Sequence, residues 1–442
     1  MFPSDLAINQ GVPAVTDNVT TQQPQKSESE TEQLRPPASS GRDAPPGVAP
    51  RWWVWLTAFP VAAIFALSNA ATPLYVLWQR DIGFSQGVLT VIFALYIVGL
   101  IGSLLVCGVV SDRLGRKTVL FPALILALIA CLMFAAADSV LVLCAARLFT
   151  GISVGAAVSA GMAAVTDVGG ASRKRLAALL ASTAMVLGAG LGPMLAGVLS
   201  ELAPGPTVTV FAVEAGLLAL ALLVVWRMPV SRPRSTGSGA WIRVPSVPKN
   251  DRLRLVLGIA VFAPGITATS FVLSLGPSLL ASLLGSTNRM VAGGLAFVMF
   301  LIATGIQFAV QRMSVPRILQ LGAVSTVLSM VAMAAAVFTN SVPPLALAAL
   351  LAGCGQGMGQ LGGLSLLNAS VPGHRLAEAN AGLNVGGYAL AGTLPVLTGY
   401  LSDLVGLAAG TMAFGIVLIV LAATGGVIVT ATRKNIEPTP SR

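Results

Sequence analysis

From about residue 52 onward the chain alternates long apolar stretches with short polar ones. A helix needs about 20 apolar residues to cross the roughly 30 Å hydrocarbon core of a bilayer. Twelve such spans are predicted, near 52–76, 85–110, 118–137, 140–166, 176–200, 207–227, 255–284, 289–311, 316–338, 344–371, 379–402 and 408–431. Glycine and proline dilute the signal within 254–311 and 344–402. The start of the chain breaks the pattern. The run TTQQPQKSESETEQLRPPASSGRDAPPG has almost no large apolar residue and cannot bury enough surface to offset its ordering entropy. A disordered tail is expected over 1–51. It is not a signal peptide, because no basic start leads into an apolar core and a small-residue cleavage site. The longest internal polar stretch, 227–254, divides the spans six and six. The expected organisation is an N-terminal bundle over 52–227, a linker over 228–254, a C-terminal bundle over 255–431 and a short tail over 432–442.

Composition makes the membrane reading firm. The chain is 55% hydrophobic and 10% charged, whereas a soluble domain has about 25% charged residues. Lipid must be the solvent for most of its length. The 47 glycines fit too, since small residues let helices approach closely where water gives no hydrophobic push. The net charge of +10 raises the question of nucleic acid, and its location answers it. Of the 26 basic residues, only Arg80 and Arg289 fall in the odd-numbered gaps, and Arg147 lies inside span 4. The others occupy the tails and the even-numbered links, with Arg227, Arg232, Arg234, Arg243, Lys249, Arg252 and Arg254 in the 6–7 link. The positive-inside rule then puts both tails in the cytoplasm. The expected setting is a plasma membrane of bacterial inner-membrane type, with the bilayer as partner, no nucleic acid and a functional monomer. The four cysteines lie in apolar spans without zinc or redox spacing, and His374 is the one histidine, so no metal site is expected. Nothing resembles a nucleophile, and no G-x-x-x-x-G-K-[ST] loop is present for ATP. No enzyme activity and no cofactor are expected.

Polar positions inside spans carry the candidate chemistry. Arg147 is the one basic residue well inside a span, about seven residues into span 4, roughly 10 Å deep at 1.5 Å per residue. Glu214 is the one acid well inside a span, at a similar depth in span 6. Intramembrane charges usually face the interior or water and mark function. A Glu214–Arg147 pair would let conformation tune protonation, as a proton-coupled step requires. The plainer alternatives are snorkelling for Arg147 and a structural ion pair or interfacial acid for Glu214. For substrate contact the candidates are Asn69 and Thr72 in span 1, Tyr96 in span 2, Gln307 in span 8, Gln356 and Gln360 in span 10, and Asn384 and Tyr388 in span 11. Amides and hydroxyls amid aliphatic surface suit a neutral or amphipathic molecule. The same groups would serve equally as glue between helices.

Short motifs sharpen the picture. The 2–3 link reads Gly108-Val-Val-Ser-Asp112-Arg113-Leu-Gly115-Arg116-Lys117 and resembles the signature G-x-x-x-D-R-x-G-R-[RK] of the major facilitator superfamily. In span 4, Arg147-Leu-Phe-Thr-Gly151-Ile-Ser-Val-Gly155 resembles that family's R-x-x-x-G-x-x-x-G/A pattern. In span 5, Gly188-Ala-Gly190-Leu-Gly192-Pro193-Met-Leu-Ala-Gly197 resembles G-x-x-x-G-P-x-x-G-G, with one of the last two glycines replaced. The 8–9 link, Gln311-Arg312-Met-Ser-Val-Pro-Arg317, lacks the acid and the glycines. The resemblance implies an all-α membrane protein of twelve transmembrane helices, in two six-helix bundles around a central cavity, working by alternating access. It also implies a helix-5 hinge at Gly188, Gly192, Pro193 and Gly197, which this family associates with proton-exchanging exporters. In that picture Asp112 faces a neighbouring helix N-terminus, and Gly108, Asp112, Arg113, Gly115, Arg116 and Asp167 form a cytoplasmic gate. Span 1 lacks the acid that many drug exporters of the family carry.

The leading expectation is proton-coupled efflux of small hydrophobic or amphipathic compounds, as in the twelve-helix drug/proton antiporter branch. The alternatives are a proton-coupled importer of a small neutral nutrient and a non-transporting sensor on the same fold. The halves share a proline near the outer end of spans 1 and 7 (Pro73, Pro277) and a Gly/Pro stretch in spans 5 and 11 (Gly192-Pro193, Pro395), with no strong residue-level identity expected beyond these.

Overall fold

The computed structural model describes residues 50–230, 241, 247–285, 288–372 and 375–432. Most of the tail expected over 1–51, most of the linker and most of the tail over 432–442 lie outside the described residues. The described chain forms twelve spanning helices: α1 Arg51–Ile82, α2 Gln86–Leu114, α3 Arg116–Ala135, α4 Val140–Gly169, α5 Lys174–Leu202, α6 Pro206–Arg227, α7 Lys249–Ser274, α8 Arg289–Val310, α9 Val315–Thr339, α10 Val342–Asn368, α11 Leu376–Val405 and α12 Leu407–Ala431. Eleven are long and apolar enough to cross a membrane by length and hydropathy alone. The twelfth, α11, has 30 residues; Asn380, Asn384 and its glycines lower its hydropathy. Because the count is even, residues 51 and 431 share one face, called here the termini face.

Helix ends follow local chemistry. Ser85 and Asn288 cap α2 and α8 through their side chains, accepting from the Val88 and Val291 amides. Gly115 turns α2 into α3 at φ +103°, a conformation with little steric cost only for glycine. Two spans differ from the sequence expectation, each at a proline. Span 1 does not end near 76. It passes through a short 3₁₀ turn at Thr72–Leu74 and resumes as Tyr75–Ile82. Span 7 does not run unbroken to 284. It stops at Ser274, and a separate short helix, Gly276–Leu284, follows. Pro73 is the second residue of the 3₁₀ turn and Pro277 the second residue of the short helix, first-turn positions where the missing N–H costs little. α4 carries a π-helical turn at Ala157–Gly161, a local widening that often marks functional sites.

The helices pack as two six-helix bundles, α1–α6 and α7–α12, joined mainly by α5 against α8 and α2 against α11. Each helix is two-sided. α6 buries Val210, Phe211, Glu214, Leu218, Ala221 and Val225 at three- and four-residue spacing. α9 turns Leu321, Val324, Leu328 and Val331 outward, a stripe that suits lipid and not water. Inside the bundles, glycine sets the spacing. A Cβ on Gly99 would meet the α4 backbone at Leu148–Ile152, and one on Gly151 or Gly155 would meet α2 at Tyr96–Ser103. The helix-4 glycines therefore hold α4 tightly against α2.

Candidate functional site

At the termini face, the end of α2, the start of α3 and the end of α4 converge. Arg116 is the shared cation. Its Nη1 donates to Asp112 Oδ1 at 2.5 Å and to Ser111 Oγ at 2.9 Å, and its Nε donates to Asp167 Oδ2 at 2.8 Å. Gly108 is buried beneath this cluster, and Gly115 makes the turn that puts Arg116 there. Both carboxylates are half-exposed, while Arg116 is mostly covered. The Arg113 guanidinium stacks 4.6 Å from the Trp241 ring. Lys117 donates to the Trp226 carbonyl at the end of α6, at 2.9 Å. All of Asp112, Arg116 and Asp167 belong to the first bundle, so the triad ties three of its helices together.

Deeper in the same bundle lies Arg147, which is completely buried. Its Nε donates to the Tyr75 hydroxyl and its Nη1 to the Ser68 carbonyl at 2.6 Å. The guanidinium carbon sits 5.0, 5.7 and 5.7 Å from the Tyr75, Phe93 and Phe134 ring centroids, close enough for cation–π attraction. Nη2 has no hydrogen-bond partner. Snorkelling is ruled out, because the head group is fully enclosed. The Ser68 hydroxyl accepts from Asn69 Nδ2 at 3.0 Å and lies near the Tyr96 phenol. Tyr96 in turn lies within electrostatic reach of Tyr388 in the second bundle, whose ring meets Phe262 edge-on at 6.5 Å. The structure thus brings Asn69, Tyr96, Arg147 and Tyr388 into one polar centre, with Asn69 and Arg147 buried and Tyr96 and Tyr388 half-buried. Sequence reasoning missed its connectors, Tyr75 and Ser68. Their signal was faint: a phenol and a hydroxyl on the same span as Asn69.

The conceivable Glu214–Arg147 pair does not form. Glu214 is buried, and its Oε2 has no partner; its electrostatic neighbour is the Cys131 thiol. Aromatic rings stand between the two charges. Phe134 faces the guanidinium on one side and stacks 4.9 Å from Phe211 on the other, three residues before Glu214. Trp78 stacks on both rings. Equal depth in two spans says nothing about azimuth, and here the azimuths diverge.

The remaining polar candidates are spread out. Thr72 is buried without a partner for its hydroxyl. It borders a cavity of about 10 Å³ with Val272, Pro277, Leu280 and Ala292, room for no more than one water. Gln307 and Asn384 bond carbonyls of their own helices, at Ala303 and Asn380, 3.2 and 3.0 Å away. Gln356 and Gln360 are half-buried on α10, and Gln356 Oε1 has no partner.

Span 5 forms the junction of three helices. A Cβ on Gly188 or Gly192 would strike the α1 backbone at Ala62 or Ala66. On the other side, Gly190 faces Phe297, the Pro193 carbonyl meets Gly293, and Gly197 lies against Arg289–Met290 of α8. The glycines therefore let one helix touch its own bundle and the opposite one at backbone distance. These cross-bundle contacts lie in the half of α5 away from the termini face. By contrast Gly102 in α2 and Gly305 in α8, nearer the termini face, have open space beside them.

Residues 54–323 match the Major Facilitator Superfamily. No curated protein matches the chain. Among solved structures, the chain is similar to a bacterial homologue of the human lysosomal transporter Spinster in an inward-facing, unoccupied conformation. That match has 14% identity and a TM-score of 0.72, covering 88% of this chain and 98% of that one. It is also similar to the nucleoside transporter NupG (13%, TM-score 0.64, 88% and 100%) and to a D-xylose-proton symporter (16%, TM-score 0.62, 85% and 96%). The matched region takes in all three motifs, from the α2–α3 turn to the α5 glycines, and the twelve-helix, two-bundle architecture agrees with it. This multi-pass membrane protein belongs to the Major Facilitator Superfamily of transporters.

Proposed function

We propose that the chain is a proton-coupled secondary transporter, working by alternating access, that exports small neutral or amphipathic compounds from the cytoplasm. The observation that carries this reading is the polar centre formed by the buried Asn69 and Arg147 and the half-buried Tyr96 and Tyr388, where the two bundles approach each other. It offers hydroxyl and amide groups with aromatic walls and contains no carboxylate. Such a lining orients an uncharged molecule by a few hydrogen bonds and lets aliphatic surface supply the rest. Arg147, enclosed as it is, acts by holding α1 and α4 in register. Its spare Nη2 is the one strong donor left unpaired there.

Glu214 is the proton-carrying candidate. A buried carboxyl with an unpartnered oxygen is costly in its charged form, so its proton is worth much to the fold around it. The aromatic wall separates it from the substrate site, and coupling would pass through the packing of Phe134 and Phe211. Export is supported by α5, whose glycine face seals the bundles together in the half away from the termini face. The Asp112–Arg116–Asp167 cluster would act as the latch on the termini side, which the distribution of basic residues puts in the cytoplasm.

A second reading, proton-coupled import of a small neutral nutrient, draws support from the same hydroxyl-rich centre and from the nucleoside transporter and sugar–proton symporter among the similar structures. Everted membrane vesicles separate the two. With a panel of labelled compounds, export appears as uptake that requires a proton gradient acid inside the vesicle lumen and collapses with an uncoupler. Import appears instead in right-side-out vesicles. Glu214→Gln should abolish the gradient-driven component while leaving exchange of unlabelled for labelled substrate intact. Undiminished gradient-driven uptake removes Glu214 from the mechanism.

A further inference from the structure

Away from the termini face, two acidic side chains reach across the bundle boundary. Asp403, near the end of α11, accepts the backbone N–H of Gln86 at 2.9 Å and of Gly87 at 3.0 Å. Glu201, near the end of α5, accepts the backbone N–H of Arg289 at 2.9 Å and its side-chain Nε at 2.9 Å. Gln86 and Arg289 are the first residues of α2 and α8. Each helix start therefore has its donors divided. The helix's own cap, Ser85 or Asn288, takes the third N–H. A carboxylate from the opposite bundle takes the first, and in α2 the second as well. The first N–H groups of a helix have no partner within it and carry the positive end of its dipole.

Overlaying the two contacts by role uncovers a repeat that the bare sequence hid. Residues 189–202 read AGLGPMLAGVLSEL, and residues 391–404 read AGTLPVLTGYLSDL. Both are A-G-x-x-P-x-L-x-G-x-L-S-[ED]-L. Glycine and acid do matching jobs in each. A Cβ on Gly197 would sit 2.5 Å from the Arg289 carbonyl oxygen, and one on Gly399 would sit 2.8 Å from that of Gln86. Four residues on, Glu201 and Asp403 cap the same helix starts. On the receiving side of the α2 contact, Gly87 leaves room for both Tyr400 and Asp403, which would lie 2.6 and 2.8 Å from a Cβ. In each copy the glycine brings the helices together, and the acid one turn later fastens them.

We propose that Glu201 and Asp403 form a two-point clasp that stabilises the state in which the half of the transporter away from the termini face is closed. Opening that half separates α2 from α11 and α5 from α8. Both carboxylates and the freed N–H groups then return to water. The clasp is a gating element, distinct from the substrate centre and from the Asp112–Arg116–Asp167 cluster, and it rests on alternating access alone, whatever the substrate or its direction.

The test is a distance measurement that needs no substrate. Spin labels go on Val208→Cys in α6 and Phe338→Cys in α9, both exposed and in different bundles, with the four native cysteines replaced. Pulsed electron–electron distances are recorded in lipid nanodiscs. The parent gives a dominant short distance. Glu201→Gln and Asp403→Asn should each raise the long-distance fraction about threefold, and the double variant about tenfold, the scale of one and two charge–dipole caps. Ser85→Ala with Asn288→Ala removes each helix's own cap without touching the bundle boundary, so it should leave the distribution unchanged. An unchanged distribution in the single variants overturns the clasp. So does an equal shift from the Ser85/Asn288 pair, which would show general weakening of helix starts. The outcome does not depend on whether the chain exports or imports.

Discussion

At the residue scale, Arg147 shows what a buried cation needs when no acid is near. Its charge is met by a phenol, a carbonyl and three ring faces. A planar guanidinium can use all of these at once, whereas an ammonium cannot. Arg147→Lys should therefore keep the protein folded but lower transport by about tenfold, since a charged hydrogen bond is worth roughly 1.5–3 kcal/mol. Arg147→Gln should also lower the detergent melting temperature, because Tyr75 and the Ser68 carbonyl then lose their donor in a dry site. Equal activity of wild type and Arg147→Lys in the vesicle assay would reduce the site to generic packing. The exposed end of the α2–α3 turn behaves differently. Asp112 is half-exposed, so its pair with Arg116 is worth less than about 1 kcal/mol of stability. Asp112→Asn should leave melting nearly unchanged and still slow transport, if the cluster serves motion. Unaltered transport at normal expression would leave it as an ordinary surface ion pair.

At the element scale, α5 is the helix whose surface leaves no slack. It meets α1 through Gly188 and Gly192, and α8 through Gly190, Pro193 and Gly197. Gly192→Leu should cut the yield of monodisperse protein sharply, because the new side chain meets the Ala66 backbone and not a movable side chain. Overpacking of this kind costs about 1–3 kcal/mol or more. Gly216, by contrast, has open space beside it, and Gly216→Ala should be tolerated or slightly stabilising, as expected for a helix-interior glycine with room. Comparing size-exclusion profiles and melting curves of the two variants checks both expectations. The breaks in α1 and α7 are a second feature of this scale. Both have a proline in the first turn of the segment that follows the break, and both border the narrow space between the bundles at Thr72, Pro73 and Pro277.

At the scale of the whole molecule, the transporter is two bundles held by a few backbone-close contacts, and transport requires those contacts to be exchangeable. A clasp worth several kcal/mol would lock one state. Two weak, partly solvated caps bias the equilibrium by a factor that a substrate or proton can reverse. The same logic applies to the Arg116 cluster, whose acids are half-exposed. Removing both devices together should restore a nearly balanced distribution, so Asp112→Asn added to the Glu201/Asp403 double variant should move the label distances back toward the parent. Its failure to do so would mean that the cluster at the termini face does not oppose the clasp.

Length and hydropathy alone determined eleven of the twelve crossings, because bilayer thickness imposes helix length on any chain that spans it; the polar α11 was counted with the help of the alternating basic links. Three local motifs identified the architecture, since Gly115 must turn and Gly151, Gly155, Gly188 and Gly192 must let backbones touch wherever this packing is used. Asp112, Arg116 and Asp167 could be grouped in advance because they flank the same ends of neighbouring spans. What a linear pattern cannot carry is azimuth. Arg147 and Glu214 sit at similar depth, yet Phe134 and Phe211 stand between them. Tyr75 and Ser68, the actual partners of Arg147, have nothing in composition or spacing that marks them. The repeat over 189–202 and 391–404 was invisible for a related reason. Glycine, alanine and leucine recur throughout a membrane helix, and only the shared act of capping an opposite helix supplied the frame in which fourteen residues align.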